Sequence, residues 1–231
     1  MKKLLVSNSI LHQRGYLDHV ASAATELFQG SGHIAFVPYA LFDRDAYAEK
    51  AEKRFQELGM NLRSIHRAPD PKGALESADG IFIGGGNTFR LLTALYRHDL
   101  VEAIQARVAD GVPYMGSSAG SIVAGPTIMT TKDMPIIQPP SFMALNLVGF
   151  QISPHYLDPD PNSTHMGETQ EERILQYLEE NHRTVIGLRE GSFLRCDRGS
   201  AILHGPFHAR VFQRESPPLE AVPGTELYQY A

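Results

Sequence analysis

Val112-Pro113-Tyr114-Met115-Gly116-Ser117-Ser118-Ala119-Gly120 is a short apolar run followed by a cluster of small residues. From Ala119 to Ala124 the chain then reads as the start of a helix. A strand that turns sharply into a helix crowds its own backbone, so small residues are needed on both sides of the turn. Gly116, Ala119 and Gly120 provide them. Gly116 to Gly120 also fit Gly-x-Ser-x-Gly, a turn that holds its central serine, here Ser118, at a strand tip with the hydroxyl exposed. The first helical N–H groups then point at whatever that serine attacks. Hydrolysis is the chemistry this pattern points to, although a tight connection with no chemistry fits the same five residues.

Strands and helices alternate on the amino-terminal side of this turn. Lys3 to Ser7, His33 to Val37, Asn61 to His66 and Gly80 to Ile83 read as strands. Tyr16 to Gln29, Asp43 to Leu58, Thr88 to Arg97 and Leu100 to Ala109 have helical spacing, and Gly30 and Gly59 stop the first two. Repeated βα units predict a mostly parallel sheet flanked by helices. The last third differs. After a helix from Thr169 to Glu179, short strands follow closely at Thr184 to Leu188, Ser192 to Cys196, Ala201 to Leu203 and Arg210 to Gln213, with turns at Glu190-Gly191, Arg198-Gly199 and Gly205-Pro206. These predict antiparallel strands joined to the same sheet. The chain has no long linker, low-complexity tract or internal repeat, and is read as one α/β domain over residues 1–231.

Composition narrows the class. A chain of 231 residues is long enough for a substantial core, and 42% hydrophobic and 20% charged residues are ordinary for a globular protein. A net charge of −5 gives no sign of a nucleic-acid or anionic-membrane partner, since both favour a basic surface. Cys196 is the only cysteine, so an internal disulfide and a thiolate metal cluster within one chain are excluded. It lies in the apolar run Ser192-Phe193-Leu194-Arg195-Cys196 and reads as a small buried hydrophobe. The N-terminal apolar run is too short for a signal peptide, and no segment approaches a membrane span. A cytoplasmic location is expected.

A second glycine cluster, Gly84-Gly85-Gly86-Asn87-Thr88, joins a strand to a helix with Asn87 or Thr88 as cap. It lacks the final glycine of a dinucleotide fingerprint and the Gly-Lys-Ser/Thr of a phosphate loop. Loops at the carboxyl ends of parallel strands gather in one crevice. The two glycine loops are therefore expected to face each other, with the N–H of Gly85 or Gly86 and that of Ala119 forming an oxyanion hole.

Ten histidines compete for the role of base. His155 stands out because it follows Phe150-Gln151-Ile152-Ser153-Pro154, a short strand cut by a proline, and precedes a loop. His165 and Glu168 resemble an H-x-x-E metal pair, for which a loop histidine beside a helix-capping glutamate is the plainer reading. Two acids are candidates for the third member. Asp133 gives the order Ser, Asp, His, and Glu190, at a strand end, gives Ser, His, Glu. Geometry and not order decides between them.

Six ordered motifs resemble one family: Gly84-Gly85-Gly86-Asn87-Thr88-Phe89, Gly116 to Gly120, Thr131-Lys132-Asp133-Met134-Pro135-Ile136, Ile152-Ser153-Pro154-His155-Tyr156, Gly167-Glu168-Thr169 and Val185-Ile186-Gly187-Leu188-Arg189-Glu190-Gly191. With the opening Leu4-Leu5-Val6-Ser7-Asn8-Ser9, the chain is similar nearly end to end to peptidase E, the α-aspartyl dipeptidase family of serine peptidases. The resemblance implies a fold like the class I glutamine amidotransferases. It implies cleavage after an N-terminal aspartate in dipeptides and some short peptides, with no metal or organic cofactor. Carried over, Ser118 is the nucleophile and His155 the base. Glu190 is the natural orienter in that fold, and Asp133 is an essential site residue under either assignment. Arg173, Asn87 and Glu168 are the substrate-binding candidates, with Arg173 gripping the substrate carboxylate.

The chain departs from the family pattern in two places. Ser117 stands where a tryptophan often precedes the nucleophile, which is expected to alter the pocket wall and leave the attack geometry intact. Gln170 stands where an arginine is familiar after Gly-Glu-Thr, which shifts the carboxylate-binding role towards Arg173.

The alternatives are a cyanophycinase-like β-aspartyl peptidase, a non-catalytic amidotransferase-like protein that binds small molecules, and an ordinary α/β-hydrolase esterase. The last is disfavoured by the short spacing from Ser118 to His155. The expected partner is a small peptide, with no nucleic acid and no membrane. Apolar positions between Ile136 and Phe150 would serve a homodimer or line the site.

Overall fold

The computed structural model describes residues 2–162, 164 and 166–230. The short apolar runs of the first half become β1 (Lys3–Val6), β2 (Ile34–Val37), β3 (Leu62–Ser64), β4 (Gly80–Ile83) and β5 (Tyr114–Ser117). All but β3 are buried along their whole length, as strands covered on both faces must be. They pair in parallel in the order β3-β2-β4-β5-β1. Helices α1 (Ala21–Leu27), α2 (Arg44–Glu57), α3 (Pro71–Glu76), α4 (Thr88–Arg97) and α5 (Leu100–Ala109) connect them, and α6 (Ala119–Ile122) follows β5. Asp43, Asp70 and Asn87 cap α2, α3 and α4 by accepting from the N–H of Ala46, Gly73 and Arg90.

Because strand side chains alternate between faces, the main sheet feeds two hydrophobic clusters. Leu4, Val6, Phe36, Phe82 and Met115 pack with α1 and α2 through Ala24, Ala51 and Phe55. Leu5, Val37, Ile81 and Ile83 pack on the other face with Leu91, Leu95 and Ile104 of α4 and α5.

The carboxyl-terminal third divides between two sheets. A second sheet contains β6 (Gln151–Pro154), β7 (Val185–Leu188), β10 (Ala209–Phe212) and β11 (Leu219–Ala221), in the order β11-β10-β7-β6. Between β7 and β10, β8 (Phe193–Asp197) and β9 (Ser200–His204) extend the main sheet antiparallel to β1. The expectation of one sheet is therefore corrected for β7 and β10. The physical reason is that α7 (Gln170–Glu180) is a crossover that returns the chain parallel to β6. The turn at Glu190-Gly191, with Gly191 at φ 87°, then carries it across to β1. Ile152, Ile186 and Val211 of the second sheet share one core cluster with Leu5 and Ile81 of the main sheet.

Other departures are local. Tyr16 to Gln29 is not one helix: a 3-10 turn at Asp18–Val20 precedes α1. Leu17 sits at φ 58° with its N–H bonded to the Ser9 carbonyl, which bends the chain there. The stretch read as a strand to His66 ends at Ser64 and continues as a 3-10 turn. Two elements, α3 and β11, were not anticipated. The helix did have a signal, since Asp70-Pro71 is a cap followed by proline at the first helical position. Among the described residues no helix is long and apolar enough to cross a membrane.

Candidate active site

Parallel pairing decides which side chains meet. In the main sheet Val6 pairs with Ser117, and Ile83 with Gly116. Ser7, Gly84-Gly85-Gly86 and Ser118 therefore emerge together at one sheet edge. In the second sheet Pro154 pairs with Leu188, so His155 emerges beside the Arg189-Glu190 turn. Ser7 joins the two edges. Its buried hydroxyl donates to the Leu188 carbonyl at 2.7 Å and accepts from the His155 N–H at 2.9 Å.

Ser118 adopts φ 52° and ψ −110°, a strained conformation for a residue with a side chain. Its N–H donates to the Val6 carbonyl at 3.0 Å, and its carbonyl accepts from Ser121 and Ile122 in the first turn of α6. The flanking glycines allow this. A Cβ on Gly116 would collide with the Gly120 carbonyl, and one on Gly120 with that of Ile83. Ser117 is fully buried and does not line the cleft around Ser118, so the expected change to the pocket wall does not arise from its own side chain.

His155 Nε2 lies 3.0 Å from Ser118 Oγ, and Nδ1 lies 2.7 Å from Glu190 Oε1. A carboxylate only accepts, so Nδ1 carries the proton and Nε2 faces the serine as an acceptor. A serine, imidazole and carboxylate joined in this way form the relay of serine hydrolases. The His155 and Glu190 side chains are 40% and 49% exposed, so the relay lies in an open cleft. Arg189 braces the turn that carries Glu190. It donates to Asp158 at 2.8 and 2.6 Å and to Glu220 at 2.9 and 2.8 Å, and its guanidinium lies 5.6 Å from the Tyr156 ring centroid. These bonds hold the Asp158 and Glu220 carboxyls below the usual carboxylate range.

Asp133 occupies a different place. Its Oδ2 accepts from Thr88 N–H at 2.7 Å, Thr88 Oγ1 at 2.6 Å and Thr131 Oγ1 at 3.1 Å, at the start of α4. It lines the cleft with Ser118 and His155, and its hydrogen bonds go to the two threonines and not to His155. Asn87 caps α4 through Oδ1 and donates from Nδ2 to the Met134 carbonyl at 2.9 Å, so both ends of its amide are engaged within the protein. Arg173 Nε lies 3.5 Å from Glu168 Oε2, and Glu168 also accepts from Gln176 at 3.1 Å. Arg173 lines a side cavity of about 190 Å³ that shares Asp133 with the Ser118 cleft.

Of the two glycine amides read as oxyanion donors, that of Gly85 donates to Tyr47 Oη at 2.8 Å. The choice narrows to Gly86, whose N–H, like that of Ala119, meets no protein acceptor among the described residues. Gly85 packs tightly against the nucleophile, since a Cβ there would sit 3.0 Å from Ser118 Cβ.

Ser7, Tyr47 and Lys132 were missed. A polar Ser7-Asn8 pair ending an apolar strand was the available signal for the first, and nothing local marks Tyr47, on α2. Lys132 donates to the His155 carbonyl at 3.0 Å. His165 lies outside the described residues, among which no three His, Cys, Asp or Glu side chains are grouped to hold a metal ion.

Relatives bear on what this arrangement does. The profile of Peptidase family S51 matches residues 3–204. Peptidase E of Streptomyces coelicolor is 51% identical, over 98% of this chain and 93% of its own. A Drosophila melanogaster protein named "Probable alpha-aspartyl dipeptidase" is 44% identical, over 97% and 95%. The solved structure of a peptidase from an acI-B1 actinobacterium shares the fold, with a TM-score of 0.73 at 15% identity over 97% of this chain and 95% of that one. With a family match spanning both glycine loops, His155 and Glu190, the chain belongs to peptidase family S51 and is a serine peptidase.

Proposed function

We propose that this protein is an α-aspartyl dipeptidase that cleaves Asp-Xaa after the N-terminal aspartate. The observation that carries the reading is the hydrogen-bonded chain Ser118–His155–Glu190 at the meeting edge of the two sheets, in a chain similar to one protein named peptidase E and another named as a probable α-aspartyl dipeptidase. Ser118 Oγ attacks the aspartyl carbonyl carbon while His155 Nε2 takes its proton. His155 then protonates the leaving amine, and the peptide C–N bond breaks to leave an acyl-enzyme. Water, deprotonated by His155, hydrolyses that ester. Glu190 holds the imidazole tautomer and stabilises the imidazolium. The Gly86 and Ala119 amides take the oxyanion. Asp133, whose Oδ2 is bound to the threonines, offers its other oxygen to the substrate α-ammonium.

Hydrolysis of Asp-Leu against Asn-Leu, Glu-Leu and β-Asp-Leu, with EDTA present, tests this. Turnover of Asp-Leu is expected to exceed that of each analogue by at least about 10²-fold, the scale on which a charge-matched site rejects a mismatched substrate. Preferred turnover of β-Asp-Leu would move the protein to the β-aspartyl reading, and turnover of none would show the substrate class to be wrong. We also place the enzyme in the cytoplasm. Its one cysteine, Cys196, is buried and its thiol pushed up to about 12, so it is suited neither to pairing nor to reaction. Recovery in a secreted fraction of the native cells would overturn this location.

A further inference from the structure

The proposed activity requires a cation for the aspartate side chain, and the choice of that cation rests on the dipeptidase reading. Lys50 lines the Ser118 cleft, but its ammonium sits over the Tyr16 ring, 4.8 Å from the centroid. Beyond it and His155, three side chains of the side cavity compete. Gln170 is neutral and fully engaged: Nε2 donates to the His155 carbonyl at 3.2 Å, and Oε1 accepts from the Leu157 N–H at 2.9 Å. Arg173 is charged, but Glu168 lies beside it and both side chains are more than half exposed, so counter-ion and solvent weaken its field.

Lys132 differs from both. Its ammonium donates to the carbonyl of His155, the residue that also carries the base. That acceptor is uncharged, and an ammonium has three donors, so two remain for a ligand. Asp133 and Glu190 favour its charged form through space, while Arg173 opposes it. Lys132 is exposed as a residue, and partial burial lowers the pKa of its ammonium. A cation drawn out of water gains more from a carboxylate than a solvated one does.

Position completes the case. Lys132 lines the side cavity, and its neighbour Asp133 lines both that cavity and the Ser118 cleft. A cation and an anion thus stand together at the junction. An N-terminal aspartyl residue carries the complement, an α-ammonium and a carboxymethyl group on the same carbon. We propose that Lys132 is the specificity-determining residue of this site, pairing with the side-chain carboxylate of the substrate's N-terminal aspartate while Asp133 takes the α-ammonium.

The test compares Lys132→Met, Lys132→Arg and Arg173→Met. kcat/KM is measured for Asp-Leu and Asn-Leu, and calorimetry gives the affinity of each dipeptide for Ser118→Ala with and without Lys132→Met. Lys132→Met is expected to lower kcat/KM for Asp-Leu by roughly 10²-fold and for Asn-Leu by less than about threefold, as loss of one partly buried charge pair does. Lys132→Arg and Arg173→Met keep the preference for aspartate. Weaker binding of Asp-Leu, but not Asn-Leu, in the double variant supports the same conclusion.

Equal losses on both substrates would overturn the proposal, because they would mean that Lys132 only positions His155 through its carbonyl. Loss of the preference in Arg173→Met with its retention in Lys132→Met would overturn it as well. A wild type that does not cleave Asp-Leu, yet binds it in the Ser118→Ala background through Lys132, would remove the dipeptidase reading and leave the carboxylate site standing. Binding that is absent or independent of Lys132 would remove the site.

Discussion

Alanine at position 118 is expected to lower kcat/KM for Asp-Leu by about 10⁴-fold or more, with most of the loss in kcat. Among the described residues the Ser118 hydroxyl has one protein partner, His155 Nε2 at 3.0 Å. The backbone conformation at φ 52° is held by other groups: the Val6 carbonyl, the first turn of α6 and the absence of side chains at Gly116 and Gly120. Removing the hydroxyl therefore removes the nucleophile and leaves its support. Single-turnover assays at high enzyme concentration measure the residual rate, and a melting curve close to that of wild type shows that the loss is chemical. Retention of more than about a tenth of the activity would be incompatible with an acyl-enzyme on Ser118, because the oxyanion donors and substrate binding alone leave far less.

The elbow was legible because its constraints are local. Gly116, Gly120 and the apolar run before them specify a strand, a sharp turn and a helix without reference to the rest of the chain. The parallel pairing of the first five strands, though not their order, follows from the βα alternation in the same way. What sequence periodicity did not reveal is the split of the last third into two sheets. β7 and β8 are both short apolar runs separated by a turn, and nothing in their composition says that β7 pairs with β6 while β8 pairs with β1. That split positions the proposed base and its acid, since His155 and Glu190 both leave the second sheet and Ser118 leaves the first. The roles of Ser7 and Lys132 were hard to read for a related reason, even though a polar pair ending an apolar strand marked Ser7. Each acts through a carbonyl or amide far away in sequence, Leu188 and His155 for Ser7 and His155 for Lys132, and backbone groups carry no residue signature. Tyr47 was hidden too, reaching the Gly85 amide from a helix that reads as ordinary and amphipathic.

Exchanging Glu190 for glutamine is expected to lower kcat by about 10³–10⁴-fold with KM changed little, whereas Asp133→Asn is expected to act mainly on KM, by about 10–10²-fold. The difference follows from where each carboxylate sits. Glu190 Oε1 is 2.7 Å from His155 Nδ1, so the amide of glutamine removes the negative charge that stabilises the imidazolium and lets the ring take the wrong tautomer. Asp133 bonds Thr88 and Thr131 instead. Asparagine keeps an oxygen for those donors and loses only the charge, which on our reading meets the substrate α-ammonium. Separate determination of kcat and KM for the two variants, together with a melting curve for Asp133→Asn to report on the start of α4, distinguishes these effects. A large fall in kcat for Asp133→Asn with near-normal kcat for Glu190→Gln would reverse the assignment. The third member would then follow the serine and precede the histidine in sequence, and the 2.7 Å contact to Glu190 would be an ion pair without a catalytic role. The larger loss of kcat is expected at Glu190, because electrostatic support for a base acts only through the groups that face it, and Glu190 is the carboxylate hydrogen-bonded to His155 Nδ1.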